Sequence, residues 1–423
     1  MKKVVATLLL LTLAISLFGC GAKPEQTATG NQLYLSDYTV TNPMQIPDYT
    51  FDHEPTPDEM RQMAVKAMRD MLSIEWCTPK FMMYRKTGAA GGKDYTYAPG
   101  VTYAGLPYTN GDSAIWNWFD FYNTETGVLE FEGDGYAFND VLGNTCTGSI
   151  MWGWSVVCDS LDGDYTNFQM TRAHGCIPLG DIAYPEFIDT FNDYSTALII
   201  DQNGEEVILE AYALCLPADG LSSHPQDHGM MVIEPAHVVR FEDGSIDPEE
   251  SYLIIQDQRG GVGAASYTIE ENGEKHYYTG RTYAKFTFQE LLDQDYIPCT
   301  TAEFAGLKPY TKASVEFDNG GAEVTDLKSL MMGTVKSSYH ICNIRAIAVD
   351  DAGNEVQVGT KYLTKREVRN GTARECPMGY CTDKINASVM EDVLEAGKTY
   401  TVRLVVTVST GESFTPVSFT VTG

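Results

Sequence analysis

The chain has 423 residues, room for two or three domains at roughly 150 residues each, and 43% of it is apolar, which excludes wholesale disorder. Acidic residues outnumber basic ones 58 to 29. The net charge of −29 argues against nucleic-acid or anionic-membrane binding by the folded part, since both need a positive surface. A solvated acidic surface that aids solubility is the plain reading of that charge.

The first twenty residues read as a leader. Lys2 and Lys3 form a basic start, and Val4 to Phe18 is an apolar run interrupted only by Thr and Ser. That length suits a signal peptide and is short for a membrane span. The run ends in Leu17-Phe18-Gly19-Cys20, which resembles the bacterial lipobox. The resemblance implies cleavage before Cys20 and diacylglycerol on its sulfur. It also implies an exported protein anchored at the outer face of the cytoplasmic membrane or in the outer membrane. No second apolar run of about twenty residues follows. Beyond Cys20 come Cys77, Cys146, Cys158, Cys176, Cys215, Cys299, Cys342, Cys376 and Cys381. An odd number leaves at least one thiol unpaired in an exported chain. Their spacing contains no CxxC pair, so no structural zinc site is expected, and no pattern asks for a cofactor. Cys376 and Cys381 are spaced to close a small loop around Pro377 and Gly379; their pairing stays open.

Residues 21–55 are polar, with several Pro, Thr and Gln, and read as a flexible tether. A first domain is expected over 56–298 and a second over 299–423. Thr56, Pro57 and Glu59 predict a capped helix start, followed by Met60, Met63, Ala64, Ala67, Met71 and Ile74 at helical spacing. The methionine stripe reads as core packing. Residues from about 80 to 140 are rich in Gly, Tyr and Asn and read as loop-dominated. Ser149 to Val157 predicts a helix with Cys146 at its start. TALIIDQ, EVILEAYAL, HGMMVIEPAHVVRF and SYLIIQDQ are apolar, β-branched segments broken by Gly, Asp and Pro, and predict strands of an antiparallel sheet. Helices followed by strands make an α+β pattern. After about residue 300, SSYHICNIRAIAVDDAGNEVQVGTKYL reads as strand, Asp-Ala-Gly-Asn turn, strand. KTYTVRLVVTVSTGESFTPVSFTVTG repeats the idea, and together they suggest a β-sandwich.

A thiol becomes a nucleophile when its thiolate is favoured, and the amides and dipole of a helix N-terminus favour it. Cys146, preceded by Gly143, Asn144 and Thr145, fits that position. The helix-start amides could also hold the oxyanion of an acyl-transfer intermediate. An imidazole must then move protons, oriented by a third polar group. Of seven histidines, His53 falls in the tether, His276 in a surface turn, His340 in the second domain and His174 in a Gly-containing loop. His224, His228 and His237 cluster around one predicted strand, and His228 stands at its start, after a polar loop. The next strand offers Gln256, Asp257 and Gln258. Alternation puts Gln256 and Gln258 on one face and Asp257 on the other, without choosing among them.

These segments together resemble the NlpC/P60 and CHAP group of papain-like cysteine peptidases and amidases. In that group a G-x-PY segment precedes a [DN]-C-S-G segment at a helix start. A pGD segment then leads to a strand-opening His, and a polar residue follows on the next strand. Here GLPY supplies Gly105, Pro107 and Tyr108, NTCTG puts Cys146 at the nucleophile, and PADG supplies Asp219. DHGMMVIE puts His228 at the base, and EDGSIDPEESYLIIQDQ puts the third residue at Gln256 or Asp257. Thr145 and Thr147 stand where the group has Asp and Ser, and Gly229 where it has Val. The match spans about residues 100 to 262.

The resemblance implies helices packed on an antiparallel sheet in a papain-like domain; with the Ig-like β-sandwich read from the later strands, the chain is α+β. It implies hydrolysis of an amide in peptidoglycan stem peptides. Cys146 would attack, His228 would shuttle the proton, Gln256 or Asp257 would orient it, and Tyr108, Thr145 and Thr147 would line the pocket. The partners implied are wall peptide and, through Cys20, the lipid membrane. Two alternatives stand beside it: an inactive relative that binds wall peptide or protein, and a transglutaminase-like domain, which also runs Cys, His, acid. RGGVGA (259–264) lacks the GK[ST] of a phosphate loop and reads as a turn. Trp152 and Trp154 are two apart in the predicted helix, so one is expected in the core and the other nearer the cleft. HPQDH with His174 is a weak zinc pattern outside a helix.

Overall fold

The computed structural model describes residues 48–85, 94–109, 114–129, 142–161, 176–184, 196–223, 228–259, 267–271, 274–363 and 374–423. The leader with Cys20, most of the tether, His174, His224, residues 260–264 of the Gly-rich turn and the Asn-Gly-Thr at 370–372 lie outside them. Among the described residues no helix is long and apolar enough to cross a membrane.

Helix α1 (Pro57–Ser73) starts at the capping box: Thr56 Oγ1 accepts from the Glu59 amide, and Glu59 Oε2 accepts from the Thr56 amide at 2.8 Å. Met60, Ala64, Ala67 and Met71 are buried, as their spacing predicts. The segment read as tether through residue 55 is already packed at Tyr49. Its ring is fully buried against Trp116, and its hydroxyl donates to Asp70 at 2.9 Å. One aromatic of a polar stretch packs against the helix, which composition does not reveal. Helix α2 (Cys146–Ser155) begins at Cys146 itself, capped by Thr145, whose Oγ1 accepts from the Gly148 amide at 3.2 Å. It crosses α1 closely at Gly153, where a Cβ would come within 3.1 Å of the Ala64 carbonyl oxygen.

TALIIDQ and EVILEAYAL are helices, not strands: α3 (Thr196–Asn203) and α4 (Glu205–Ala213). Gly204 at φ +83° breaks the chain between them, and Glu205 and Glu206 fill the first turn of α4. Ile208, Ala211 and Tyr212 are buried at i, i+3 and i+4, a helical period that outweighs β-branched content. Helix α5 (Phe288–Asp293) follows later, with its own capping box at Thr287 and Glu290.

Strands β1 (Cys176–Pro178), β2 (Gly220–Ser223), β3 (His228–Val232), β4 (Tyr252–Gln258), β5 (Gly280–Thr287) and β6 (Ile297–Thr301) form a six-stranded sheet in the order β5-β4-β3-β2-β6-β1. Every neighbouring pair is antiparallel. Helices α1 and α2 pack on one face, where Gln256 Nε2 donates to the Val65 carbonyl at 3.0 Å and Gly229 faces Ile150 and Thr147. One large core joins these helices and strands.

Strand β6 runs across residues 298 and 299, the expected domain boundary, and the second core takes up from Ala313. Two antiparallel sheets contribute to it. One holds β7 (Val315–Asp318), β8 (Thr334–Ser337) and, after two longer strands, β11 (Glu375–Pro377), in the order β7-β8-β11. The other is built from those two, β9 (Ile341–Asp350) and β10 (Glu355–Tyr362), with β12 (Thr399–Val408) and β13 (Ser413–Thr422), in the order β10-β9-β12-β13. The expected turn joins β9 to β10, with Asp350 accepting from the Ala352 and Asn354 amides. Altogether the fold is mixed α+β with several antiparallel sheets.

Residues that flank the second core's strands reach the rear of α2. Ser409 Oγ donates to the Ser155 carbonyl at 2.5 Å, Tyr339 Oη to Val157 at 3.3 Å, and Arg374 Nη2 to Leu161 at 2.7 Å. These carbonyls belong to the helix end and the chain leaving it, the groups an α-helix cannot satisfy itself. Beside them, buried Asn117 donates to the Cys342 carbonyl at 3.0 Å and accepts from Asn343 at 2.8 Å. An Asn117→Leu variant should therefore unfold at lower urea concentration, losing about 1–3 kcal/mol by stranding both partners in the interior, with the slope unchanged.

Candidate functional site

Two loops and two strand ends meet at the first residue of α2. The GLPY segment runs beside the chain entering the helix. The Asn144 amide donates to the Pro107 carbonyl at 3.1 Å, the Thr109 amide donates to the Asn144 carbonyl at 3.2 Å, and Tyr108 bridges Asn144 in parallel. Glycine is required on both sides. Gly105 adopts φ +91° with the Thr279 hydroxyl against its Cα, and a Cβ on Gly143 would lie 2.1 Å from the Pro107 carbonyl oxygen. The result places the Tyr108 hydroxyl 3.8 Å from the Cys146 sulfur.

His228 opens β3 and Asp257 lies on β4. The register pairs Met231 with Gln256, so stepping along both strands puts His228 and Asp257 diagonally on one face, with Gly229, Gln256 and Gln258 on the other. His228 Nε2 meets Asp257 Oδ2 at 2.8 Å, which leaves Nδ1 for the Cys146 thiol, the hydrogen-bonded partner on its other side. Because α2 packs on the opposite face, only its first residue reaches around the start of β3 to the imidazole. Gly229 makes this possible, since a Cβ there would meet Ile150 at 3.0 Å and Thr147 at 3.3 Å.

Asp257 in turn is held by Arg281, whose Nε donates to Oδ1 at 2.9 Å and Nη2 to Oδ2 at 2.6 Å. The guanidinium is fully buried and lies over the Phe286 ring. Plain alternation along β5 would turn Arg281 away from Phe286 and Ala284. The register shift between the Ile255–Ala284 and Asp257–Arg281 pairs inserts an extra residue on β5, a bulge that turns Arg281 to the Asp257 face.

Electrically the row is ordered. Burial would push the Asp257 carboxyl up, but the Arg281 charge and hydrogen bonds, with His228 behind them, hold it well below the usual carboxylate range. Burial would likewise push the His228 imidazolium down. The bonds to Asp257 and Cys146 and their charges instead raise it to about 9. Burial opposes a thiolate at Cys146, yet the His228 bond and charge, the Gly229 amide and the Tyr108 hydroxyl bring it below an ordinary thiol. Both partners move toward a thiolate–imidazolium pair.

The residues expected at the site divide accordingly. Cys146, His228, Asp257 and Tyr108 come together. Thr145 is the helix cap, and Thr147 packs beside Gly229. Gln256 is not among them: alternation points it through the sheet to the Val65 carbonyl and the Met231 sulfur. Gln258 shares that face and braces it, its amide donating to the Leu106 carbonyl at 2.8 Å and its oxygen accepting from Ser149. Asp219 is remote from the thiol, buried against Arg61 at 2.7 Å. Trp152 and Trp154 are both buried, so neither ring faces a cleft, and Trp154 Nε1 donates to the Ala218 carbonyl. His237 stacks on Tyr252, and buried His340 accompanies the Leu161 carbonyl. Arg281 was missed because only the bulge aims it. Its strand, GRTYAKFT, also carries Lys285, and nothing local tells the two cations apart.

Among the described residues no group of three or more His, Cys, Asp or Glu is placed to hold a metal ion. No family model matches the chain, and no match to a curated protein sequence is found. The Arg281–Asp257 pair makes one strong prediction. An Arg281→Met variant leaves the buried Asp257 carboxylate with His228 alone for a partner, which should cost about 3–5 kcal/mol in denaturant unfolding. Added Asp257→Asn should recover much of that loss.

Proposed function

We propose that the chain is a surface-anchored cysteine peptidase or amidase of the NlpC/P60-like type, cleaving an amide in cell-wall peptide stems. The observation that carries this reading is the continuous row from the Cys146 sulfur through His228 to Asp257 at a capped helix start. The sheet with α1 and α2 on one face is consistent with a papain-like architecture, and the two sheets around the second core with a β-sandwich. Cys20 would carry the lipid that holds the protein at the envelope surface. The wall-peptide substrate rests on the family resemblance and that address. Two features that favoured an inactive relative have structural explanations: Thr145 caps the helix in place of an acid, and Asp257, not a glutamine, stands behind the imidazole.

In the reaction the thiolate adds to the amide carbonyl carbon, and the oxygen takes up negative charge at the α2 amides. The tetrahedral adduct collapses, the C–N bond breaks, and the His228 imidazolium gives its proton to the departing amine. His228, now neutral, takes a proton from water as that water attacks the thioester. The carbon–sulfur bond breaks, and thiolate and imidazolium are restored. Asp257 stays ionised throughout, keeping the imidazole turned toward the sulfur.

The pH dependence follows from the two shifts. The thiolate forms below the pH an ordinary thiol needs, and His228 keeps its proton until about pH 9. Alkylation of Cys146 should thus rise at lower pH than that of an ordinary thiol, and amide hydrolysis should fall as pH rises through about 9 while alkylation does not. His228→Ala should slow alkylation at pH 6 about tenfold for each unit by which the thiol pKa rises. Mass-spectrometric site occupancy with iodoacetamide measures this, and equal labelling of all cysteines would sink the enzyme reading. For the substrate, protein lacking the first twenty residues should release new amines from wall-peptide fragments, and Cys146→Ala should release none. Binding without release would favour the inactive relative.

A further inference from the structure

The row containing His228 extends across the sheet to a residue the mechanism does not use. Ser223 on β2 pairs with His228, and Ile297 on β6 pairs with Ser222. One step back along β6 puts Tyr296 opposite Ser223, so His228, Ser223 and Tyr296 stand side by side on the same end and face of three neighbouring strands. The position is built from several directions. Asp295, at φ +54°, ends α5 in a Schellman turn. Its amide bonds Leu292 at 2.9 Å, and the Tyr296 amide bonds Leu291 at 3.0 Å. Tyr212 donates to the Tyr296 carbonyl at 2.5 Å, and Ser223 Oγ donates to the Gln294 carbonyl at 2.6 Å.

The amides of Asp295 and Tyr296 and the carbonyls of Gln294 and Tyr296 are thus engaged, and Ser223 spends its hydroxyl on one of them. The Tyr296 side chain differs. The residue is 2% exposed, yet its hydroxyl has no hydrogen-bond partner among the described residues, while those of Tyr49, Tyr212 and Tyr339 each have one. A hydroxyl that makes no bond on so nearly buried a residue is left for whatever meets the little surface that the residue keeps. We propose that the Tyr296 hydroxyl is a substrate-contacting hydrogen-bond donor of the Cys146 site, taking the carbonyl of the peptide that the thiolate attacks. This rests on the acyl-transfer reading of the site. Burial first, and then the negative charges of Asp257 and Cys146, push its phenol well above the ordinary value against Arg259 and Arg281, so it stays a donor wherever the thiolate works.

The test uses the full-length chain in mild detergent and a Tyr296→Phe variant, which keeps the ring. Each is treated with iodoacetamide and with a peptidyl chloromethyl ketone, whose ketone oxygen takes the place of the scissile carbonyl, and Cys146 modification is followed by mass spectrometry. The variant should lose about tenfold or more in its rate with the ketone. Its iodoacetamide rate and thermal midpoint should match wild type. Equal ketone rates for the two proteins, including no reaction by either, overturn the proposal. A parallel loss with both reagents, or a lowered midpoint, also overturns it, since Tyr296 would then serve the thiolate or the fold. If wild type cleaves no wall peptide but the ketone alone discriminates the variant, the wall substrate fails and the role of Tyr296 stands. If wild type cleaves wall peptide and both reagents treat the two proteins alike, the reverse holds.

Discussion

A carboxylate with no access to water is stable only with a cation beside it, and the site depends on that condition at Asp257. Without Arg281, burial would favour the protonated acid, which could not hold charge opposite His228. With the guanidinium's two hydrogen bonds in place, Asp257 remains an anion, His228 becomes an easily kept cation, and Cys146 becomes an easily formed anion. Each group is thus set by its neighbour, in alternating sign, from the interior of the sheet to the start of a helix. The cost of burying Asp257 is offset first by the Arg281 guanidinium and then by His228.

The helix bearing the thiol is fixed at both ends by different parts of the chain. Its first turn is capped by Thr145 and flanked by the GLPY segment. Its last carbonyl, and those just past it, are taken by Ser409, Tyr339 and Arg374 from around the second core. Midway, Ser149 donates to Gln258 and Gly153 lets α1 close in. A second buried pair, Arg61 with Asp219, ties α1 to the loop entering β2. A hydrogen bond such as that between His228 and Asp257 tolerates only tenths of an ångström of misplacement, so these braces bear on the chemistry although they lie outside it.

Features set by neighbouring residues were legible in the sequence: the capping box at Thr56, the methionine stripe, Cys146 at a helix start, His228 at a strand start, and the turn joining β9 to β10. Features set by a distant strand were not. Alternation separated Asp257 from Gln256 and Gln258 correctly, but only the register against β3 says which face meets the histidine. Arg281 owes its direction to one extra residue in β5, which no local pattern announces. The α3 and α4 segments were misread for another reason. Both are short and apolar, where composition favours a strand, and the helical spacing of Ile208, Ala211 and Tyr212 is overlooked if β-branched content is weighed first. Tyr296 has no signal at all, because its place depends on a helix cap that uses Asp where glycine is usual.

The departures from the resembled pattern follow from one geometric demand. Helix α2 covers the face of the sheet opposite His228, so sulfur and imidazole can meet only past the end of a strand. That requires the thiol at the helix's first residue and the imidazole at the strand's first residue. A slip of one position in either would turn the side chain to the wrong side. It also brings the helix low over β3, where a Cβ at position 229 would crowd the Ile150 and Thr147 methyls at 3.0 and 3.3 Å. Thr145 then needs only to cap, which its hydroxyl does, because the charge that an acid there would bring is already supplied from the other side of the imidazole by Asp257.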